Sequence, residues 1–236
     1  AGRIWDKRFQ HFPLLVGEIH TLLLLPILGC TKEPLYPHSH IYEIASIHLP
    51  LSSARIGAFS THTAHPEFVS IMGGVLSTLL DHPIRIENPF LYKTKAEVVA
   101  ATVERHQPVI AGTVSCWKAA RVSGEEKHCG YCIPCLSRRI ALETHGLELS
   151  EYKRDVLRER VSSLEPNDEG KRNLVELIEF VSVFGEPRPQ AELEIVYPEL
   201  FNEEIDASLA IEMYRRFAEE SLDVFNRYPS VKAIVS

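Results

Sequence analysis

The sequence predicts an α/β chain: a partial doubly wound parallel sheet, a four-cysteine knuckle at its end, and a helical C-terminal appendage. Three observations carry this. Strand-like and helix-like segments alternate between Ile41 and Trp117, four of the five cysteines fall between 116 and 135, and the residues after 150 have almost purely helical patterning. Strand–helix–strand–helix–strand order implies right-handed crossovers, with helices covering the faces of a parallel sheet.

Residues 1–37 mix aromatic, His and Pro residues without a sustained period of 2 or 3.6 and form an unpatterned N-terminal segment. IYEIASIHLPL, from Ile41, reads as a strand closed by a turn at Pro50, and SSARIGAFSTHTAHP as a loop of small and hydroxyl residues. A helix is predicted from Pro66, because proline suits a first helical turn. Phe68, Val69, Met72, Val75, Leu76, Leu79 and Leu80 give it an apolar face at 3–4 spacing, ending near Asp81-His82-Pro83. PIRIENPF, 83–90, reads as a short strand. Thr94 followed three places on by Glu97 is a capping box, and its helix should stop at Pro108, which lacks the N–H the ladder needs. VIAGTVSCW, 109–117, reads as strand, then loop. Further helices are predicted at Ile133–Leu147, Asp155–Leu164, Asn167–Phe184 and Asp206–Tyr228, with a turn-rich break at 185–190. The domain reading is 1–37, 38–150 and 151–236.

Composition narrows the function. Of 236 residues, 45% are hydrophobic and 24% charged, which excludes a disordered or fibrous chain. The net charge is −7, the wrong sign for a protein that coats nucleic acid. It is unevenly placed: residues 1–140 carry +3 and residues 141–236 carry −10. The longest apolar run, Thr21 to Leu28 interrupted by Pro26, falls short of the roughly 20 residues a bilayer requires. The basic start at Arg3, Lys7 and Arg8 is not followed by the apolar core of a signal peptide. These features predict a cytoplasmic protein with no membrane partner.

In such a compartment clustered cysteines indicate a metal site rather than disulfides. The pattern is Cys116-x12-Cys129-x2-Cys132-x2-Cys135. Soft thiolates at x2 spacing suit a tetrahedral zinc ion, and four of them leave no open position, so the ion would be structural. An iron–sulfur cluster takes the same ligands, free or disulfide-bonded thiols are the bland alternative, and His128 could replace one sulfur. Cys30 lies outside the pattern and reads as a buried apolar thiol. Lys118, Arg121, Lys127, Arg138 and Arg139 surround the knuckle, either balancing a formally dianionic centre or forming an anion site.

The ordered set ENPFLYKTKAEVVAATV, GTVSCW and HCGYCIPCLSRR resembles the C-terminal half of 7-cyano-7-deazaguanine synthases, the QueC-like queuosine-pathway enzymes of the PP-loop ATP pyrophosphatases. They share an N-P-[FL] turn, a T-K-x-E helix start, an S-C step and an H-C-G-x-C-x-x-C-x-x-R knuckle. The stretch Arg55 to Pro66 is more similar to the QueC-like protein of the Qat anti-phage system. The resemblance covers roughly residues 38–150.

It implies an adenine nucleotide alpha hydrolase, Rossmann-like sheet and an ATP-dependent ligase that adenylates a carboxylate and converts it to amide and nitrile. Cys116, Cys129, Cys132 and Cys135 would hold structural Zn2+. Lys95 would approach the phosphates of ATP with Mg2+, with His62 as the second catalytic candidate. Arg55, Ser60, Thr61, Thr63, His65, Phe68, Thr94 and Arg138 would bind substrate or ATP. The two histidines also fit ordinary hydrogen-bonded loop roles. The substrate would be a deazapurine-type carboxylate or a protein target. The superfamily's S-G-G-x-D-S phosphate loop is absent from the 236 residues. That absence predicts a chain lacking its ATP-binding N-terminal half, completed by a homodimer or a partner. The alternative is a non-catalytic zinc-binding docking subunit.

Overall fold

The computed structural model describes residues 66–86, 88, 90–119, 126–147, 151–201 and 203–235. The predicted strand from Ile41 and the loop 52–65 lie outside them. The described residues form helices α1 (Pro66–Leu80), α2 (Lys95–Gly112), α3 (Ile133–Glu143), α4 (Glu169–Gly185), α5 (Gln190–Val196), α6 (Ala207–Phe225) and α7 (Pro229–Val235), with short 3-10 turns at Val161–Ser163 and Pro198–Phe201. Among these residues the only β pairing is an isolated parallel bridge between His128 and Tyr152. None of their helices is long and apolar enough to cross a membrane.

Helix α1 starts at Pro66 as its sequence predicts, and Phe68, Val69, Met72, Leu76 and Leu80 are half-buried. Its remaining apolar positions differ: Val75 and Leu79 face outward, 47% and 74% exposed, and the buried residue is Gly73. The segment after it is not a strand over 83–86. Ser77 Oγ accepts the Ile84 N–H (2.8 Å) and donates to the Gly73 carbonyl (2.7 Å). A side chain of α1 thus takes the backbone group that a ladder would have used.

Helix α2 has the predicted capping box, with the Glu97 N–H donating to Thr94 Oγ1 (3.1 Å) and the Thr94 N–H to Glu97 Oε2 (2.8 Å). It does not stop at Pro108 but runs to Gly112, and the predicted strand at its end is absent. The ladder bond that proline forfeits would have reached Glu104, and both residues are exposed, so water can serve that carbonyl. The final turn is held from outside. Arg138 donates to the Ile110 carbonyl (2.7 Å) and to Thr113 Oγ1.

The C-terminal helices supply most of the core. Phe180 and Phe184 of α4 meet Tyr214 of α6 at 5.5 and 4.9 Å between ring centres, and Tyr197 closes on Phe184 at 5.4 Å. Such pairs add about 0.5–1.5 kcal/mol each beyond burial. Leu136 and Ile140 of α3 belong to the same core, so the knuckle helix and the acidic helices are packed together.

The predicted helix 155–164 is instead turns and a 3-10 segment. Arg154 grips Glu159 (2.7 Å) and Asp168 (2.8 Å), which folds the segment into a loop and lets Val156, Leu157 and Val161 enter the core. Asp168 also caps α4 by accepting from the Lys171 N–H (2.9 Å). Arg154, then that backbone bond, hold its carboxyl below the usual range. Asp168→Ala should therefore lower stability by about 1–2 kcal/mol in chemical denaturation, and Asp168→Asn, which keeps the cap, by less. Equal losses would place the effect in the ion pair alone. The break at 186–189 is followed by α5, and the predicted helix to Tyr228 ends at Phe225 before α7; neither short helix has a periodic face of its own to announce it.

Candidate metal centre

Cys116 comes from the loop after α2, Cys129 from the segment entering the knuckle, Cys132 is the N-cap of α3, and Cys135 sits in its first turn. The four Sγ atoms lie within 4.8 Å of one another, all buried. Cys129–Cys135 and Cys132–Cys116 are each 3.9 Å apart. A tetrahedral ion with Zn–S bonds of about 2.3 Å needs S–S spacings of about 3.8 Å. All four are free thiols, so the donor set fits one metal ion of the zinc type. It does not need His128, whose ring instead lies 5.9 Å from Tyr152.

The chain reaches this arrangement through one conformational requirement. Gly130 has φ +83°, and a Cβ there would lie 1.8 Å from the Arg154 carbonyl oxygen. Only glycine adopts this turn so close to another backbone. The facing strand segment is tied by Lys153 N–H to His128 O (2.9 Å) and Arg154 N–H to Cys129 O (3.2 Å). Backbone N–H groups of Lys118 and Cys129 point at Cys116 Sγ at 3.3 and 3.4 Å. These donors, with the N-terminus of α3 at Cys132 and Cys135, favour thiolate charge.

Without a counter-charge the thiols compete for protons. Hydrogen bonds from Cys132 and Cys135 hold the Cys129 thiol well below its ordinary range. The bond to Cys129 pushes Cys132 up to about 12, and bonds to Cys129 and Cys132 push Cys135 up as well. A dication among them reverses this, because coordinated thiols lose their protons. Burial first, then Arg138, lowers His128 to about 4, so it is neutral near pH 7.

Three of the basic residues around the knuckle, Lys118, Arg138 and Arg139, are engaged by protein groups. Lys118 pairs with Glu169 and lies 4.7 Å over the Tyr131 ring. Arg138, 4% exposed, is turned to the end of α2. Arg139 binds Glu143, Asp155 and Tyr228. Lys127, by contrast, is exposed, and Arg121 is outside the described residues.

The remaining predicted site residues divide. Arg55, Ser60, Thr61, His62, Thr63 and His65 are outside the described residues. Phe68 lies half-buried in the first turn of α1 and does not line the cavity of about 620 Å³ bordered by its neighbours Val69 and Ser70 with Gly73, Ser77 and Asn88. Lys95 opens α2, half-buried. Thr94 is fully buried, and besides its cap it donates to Glu220 Oε1 (2.7 Å). Glu220 and its neighbour Arg216 carry no local signal in the sequence; only the approach of α6 to the α2 turn brings them there.

A buried four-thiol knuckle carried on a helix start is the class of site this chain builds. Residues 43–146 match the family model of queuosine biosynthesis protein QueC, and over that segment the chain is similar to that family. It is 38% identical over 64 residues to a 7-cyano-7-deazaguanine synthase of Ruegeria pomeroyi, covering 27% of this chain and 25% of that protein. With the 7-cyano-7-deazaguanine synthases of Paracoccus denitrificans and Rhizobium rhizogenes the identity is 34% over 82 residues and 33% over 85. Those matches cover 32% and 35% of this chain, and 33% and 34% of those relatives. The chain thus spans a quarter to a third of the length of these curated relatives. No solved structure matches it. The family implies a PP-loop, Rossmann-like fold, whereas the described residues hold helices and the single bridge.

Proposed function

We propose that this chain is the zinc-knuckle part of a 7-cyano-7-deazaguanine-synthase-like ATP-dependent ligase of the anti-phage defence branch. The observation that carries the reading is the buried quartet of thiols on the segment that matches the QueC model. In this reading Zn2+ is structural and holds the loop after α2 to the start of α3, and the chain is cytoplasmic, where a reducing compartment keeps thiols available to a metal. Lys95, at the N-terminal end of α2, faces the phosphates of ATP with Mg2+, where helix dipole and ammonium both favour an anion. His62 and the loop from Arg55 to His65 receive a deazapurine-type carboxylate or a protein target, with Phe68 and Thr94 behind it. The similarity of Arg55–Pro66 to the Qat protein supports the defence branch. The phosphate loop is assigned to sequence other than these 236 residues, in which no S-G-G-x-D-S occurs.

That same missing motif favours a second reading, a zinc-binding docking subunit without catalysis. One assay separates them. The chain, mixed with a fragment bearing S-G-G-x-D-S, a carboxy-deazaguanine, ammonia and Mg-ATP, is expected to release pyrophosphate. Silence in every combination, with zinc bound, leaves the docking reading.

A further inference from the structure

Helix α6 lies outside the segment that matches the family, yet it grips the turn that starts α2. Arg216 donates to Glu97 Oε1 (2.8 Å) and to the Tyr92 carbonyl (2.9 Å), and the Asp206 N–H donates to Tyr92 Oη (2.9 Å). One turn further along α6, Glu220 Oε1 accepts the Thr94 hydroxyl proton (2.7 Å). Thr94 is already the cap of α2, so this hydrogen bond ties α6 directly to the residue that starts the helix.

Burial, first, and then Glu97 oppose ionisation of the Glu220 carboxyl, and they prevail over the Thr94 hydroxyl, which favours the anion. The carboxyl's Oε2 is buried and has no hydrogen-bond partner among the described residues. From α2 it faces Glu97, a second carboxylate, and on its own helix Arg216 and Glu219. Arg216 is already bonded to Glu97 and the Tyr92 carbonyl. Among the described residues, the groups that the other elements bring to α6 are apolar, exposed or already paired. Arg139 and Glu143 of α3 are bound to each other and to Tyr228. Helix α4 presents Phe180, Phe184 and Gly185. The turn at 198–201 buries Leu200, and Lys232 of α7 is exposed.

We propose that Glu220 is a proton-operated latch: its neutral form holds α6 against the Thr94–Glu97 turn, and its ionised form loosens that turn. The inference is independent of any role for Lys95 in ATP binding, although loosening would displace that lysine first.

The sign follows from linkage. Burial, foremost, raises the carboxyl from 4.5 to about 7 in the closed state. A group raised on closing contributes fully below its open-state value and loses that contribution as pH rises through its closed-state value. The latch is therefore strong at pH 6 and weak at pH 8, a change of up to about tenfold in the closing equilibrium. Amide hydrogen exchange of the full chain tests it through protection factors corrected for intrinsic rates. Between pH 6 and 8 the amides of Glu97 and Val98 are expected to lose about tenfold in protection, while those of Leu174–Val181 hold theirs. Glu220→Gln, permanently neutral, should show no pH dependence and stay at or above the wild-type pH 6 value throughout. A uniform loss across the chain, or unchanged protection at Glu97 and Val98, overturns the proposal in the wild type alone, even if the variant fails to fold.

Discussion

Gly130→Ala is expected to disrupt the knuckle and to destabilise the chain by about 3–5 kcal/mol. Two effects combine. A left-handed conformation is unfavourable by about 1–2 kcal/mol for any residue with a Cβ. The new methyl would also lie 1.8 Å from the Arg154 carbonyl oxygen and 2.8 Å from Tyr152 Cβ. Overpacking of that kind adds about 1–3 kcal/mol or more when the neighbour cannot move. Here it cannot move freely, because Arg154 is fixed through its N–H to Cys129 and its guanidinium to Glu159 and Asp168. Gly146→Ala supplies the comparison. Its φ is +67°, with nothing within 4 Å of the added carbon, so only the conformational part, about 1 kcal/mol, should appear. Thermal melts of the two variants side by side would show a shift of roughly 10 °C for Gly130→Ala and a few degrees for Gly146→Ala. Equal shifts would mean that the approach of Arg154 to this turn is not restrictive.

Cys132→Ser should be as severe by a different route. A structural zinc contributes directly to folding, with apparent binding free energies of about 10–16 kcal/mol in small zinc modules. Cys132 is central to the proposed clasp, since it belongs to the quartet and also starts α3. Its replacement is expected to reduce bound zinc from about one per chain to near zero after dialysis against a chelator, and to destabilise the protein by more than about 4 kcal/mol. Because Leu136 and Ile140 on the same helix enter the main core, the damage should spread beyond the knuckle. Chelation of the wild type should reproduce it. Cys30→Ser, outside the quartet, should leave the metal content unchanged. Zinc retained at full stoichiometry in Cys132→Ser would remove the four-thiolate assignment, and visible absorption from iron and sulfide would replace zinc with a cluster.

The elements read correctly from the sequence are those whose determinants lie close together in it. Thr94 and Glu97 are three residues apart and satisfy each other's backbone groups, so the start of α2 is fixed locally. Pro66 and Asp168 mark the beginnings of α1 and α4 in the same way. Cys129, Cys132 and Cys135 sit at a spacing that lets their sulfurs converge. Where the reading failed, the deciding partner was distant. Pro108 marks a helix end by every local criterion, yet α2 continues because Arg138 holds Ile110 and Thr113 from 28 and 25 residues away. Residues 83–86 alternate like a strand, but Ser77 has taken the Ile84 N–H. The helical pattern at 155–164 yields to the bonds Arg154 makes to Glu159 and Asp168.

The amino-acid sequence by itself determined the helix starts, the set of four sulfurs and the resemblance to QueC, because caps, ligand spacing and motif order are properties of neighbours along the chain. Only the tertiary structure decided how far α2 runs, how the Cys116 sulfur is carried to the other three, and that Thr94 rests on a half-buried Glu220. Those outcomes depend on groups 13 to 126 residues apart, and such contacts form only when burial of a shared core outweighs the entropy of closing the intervening loops.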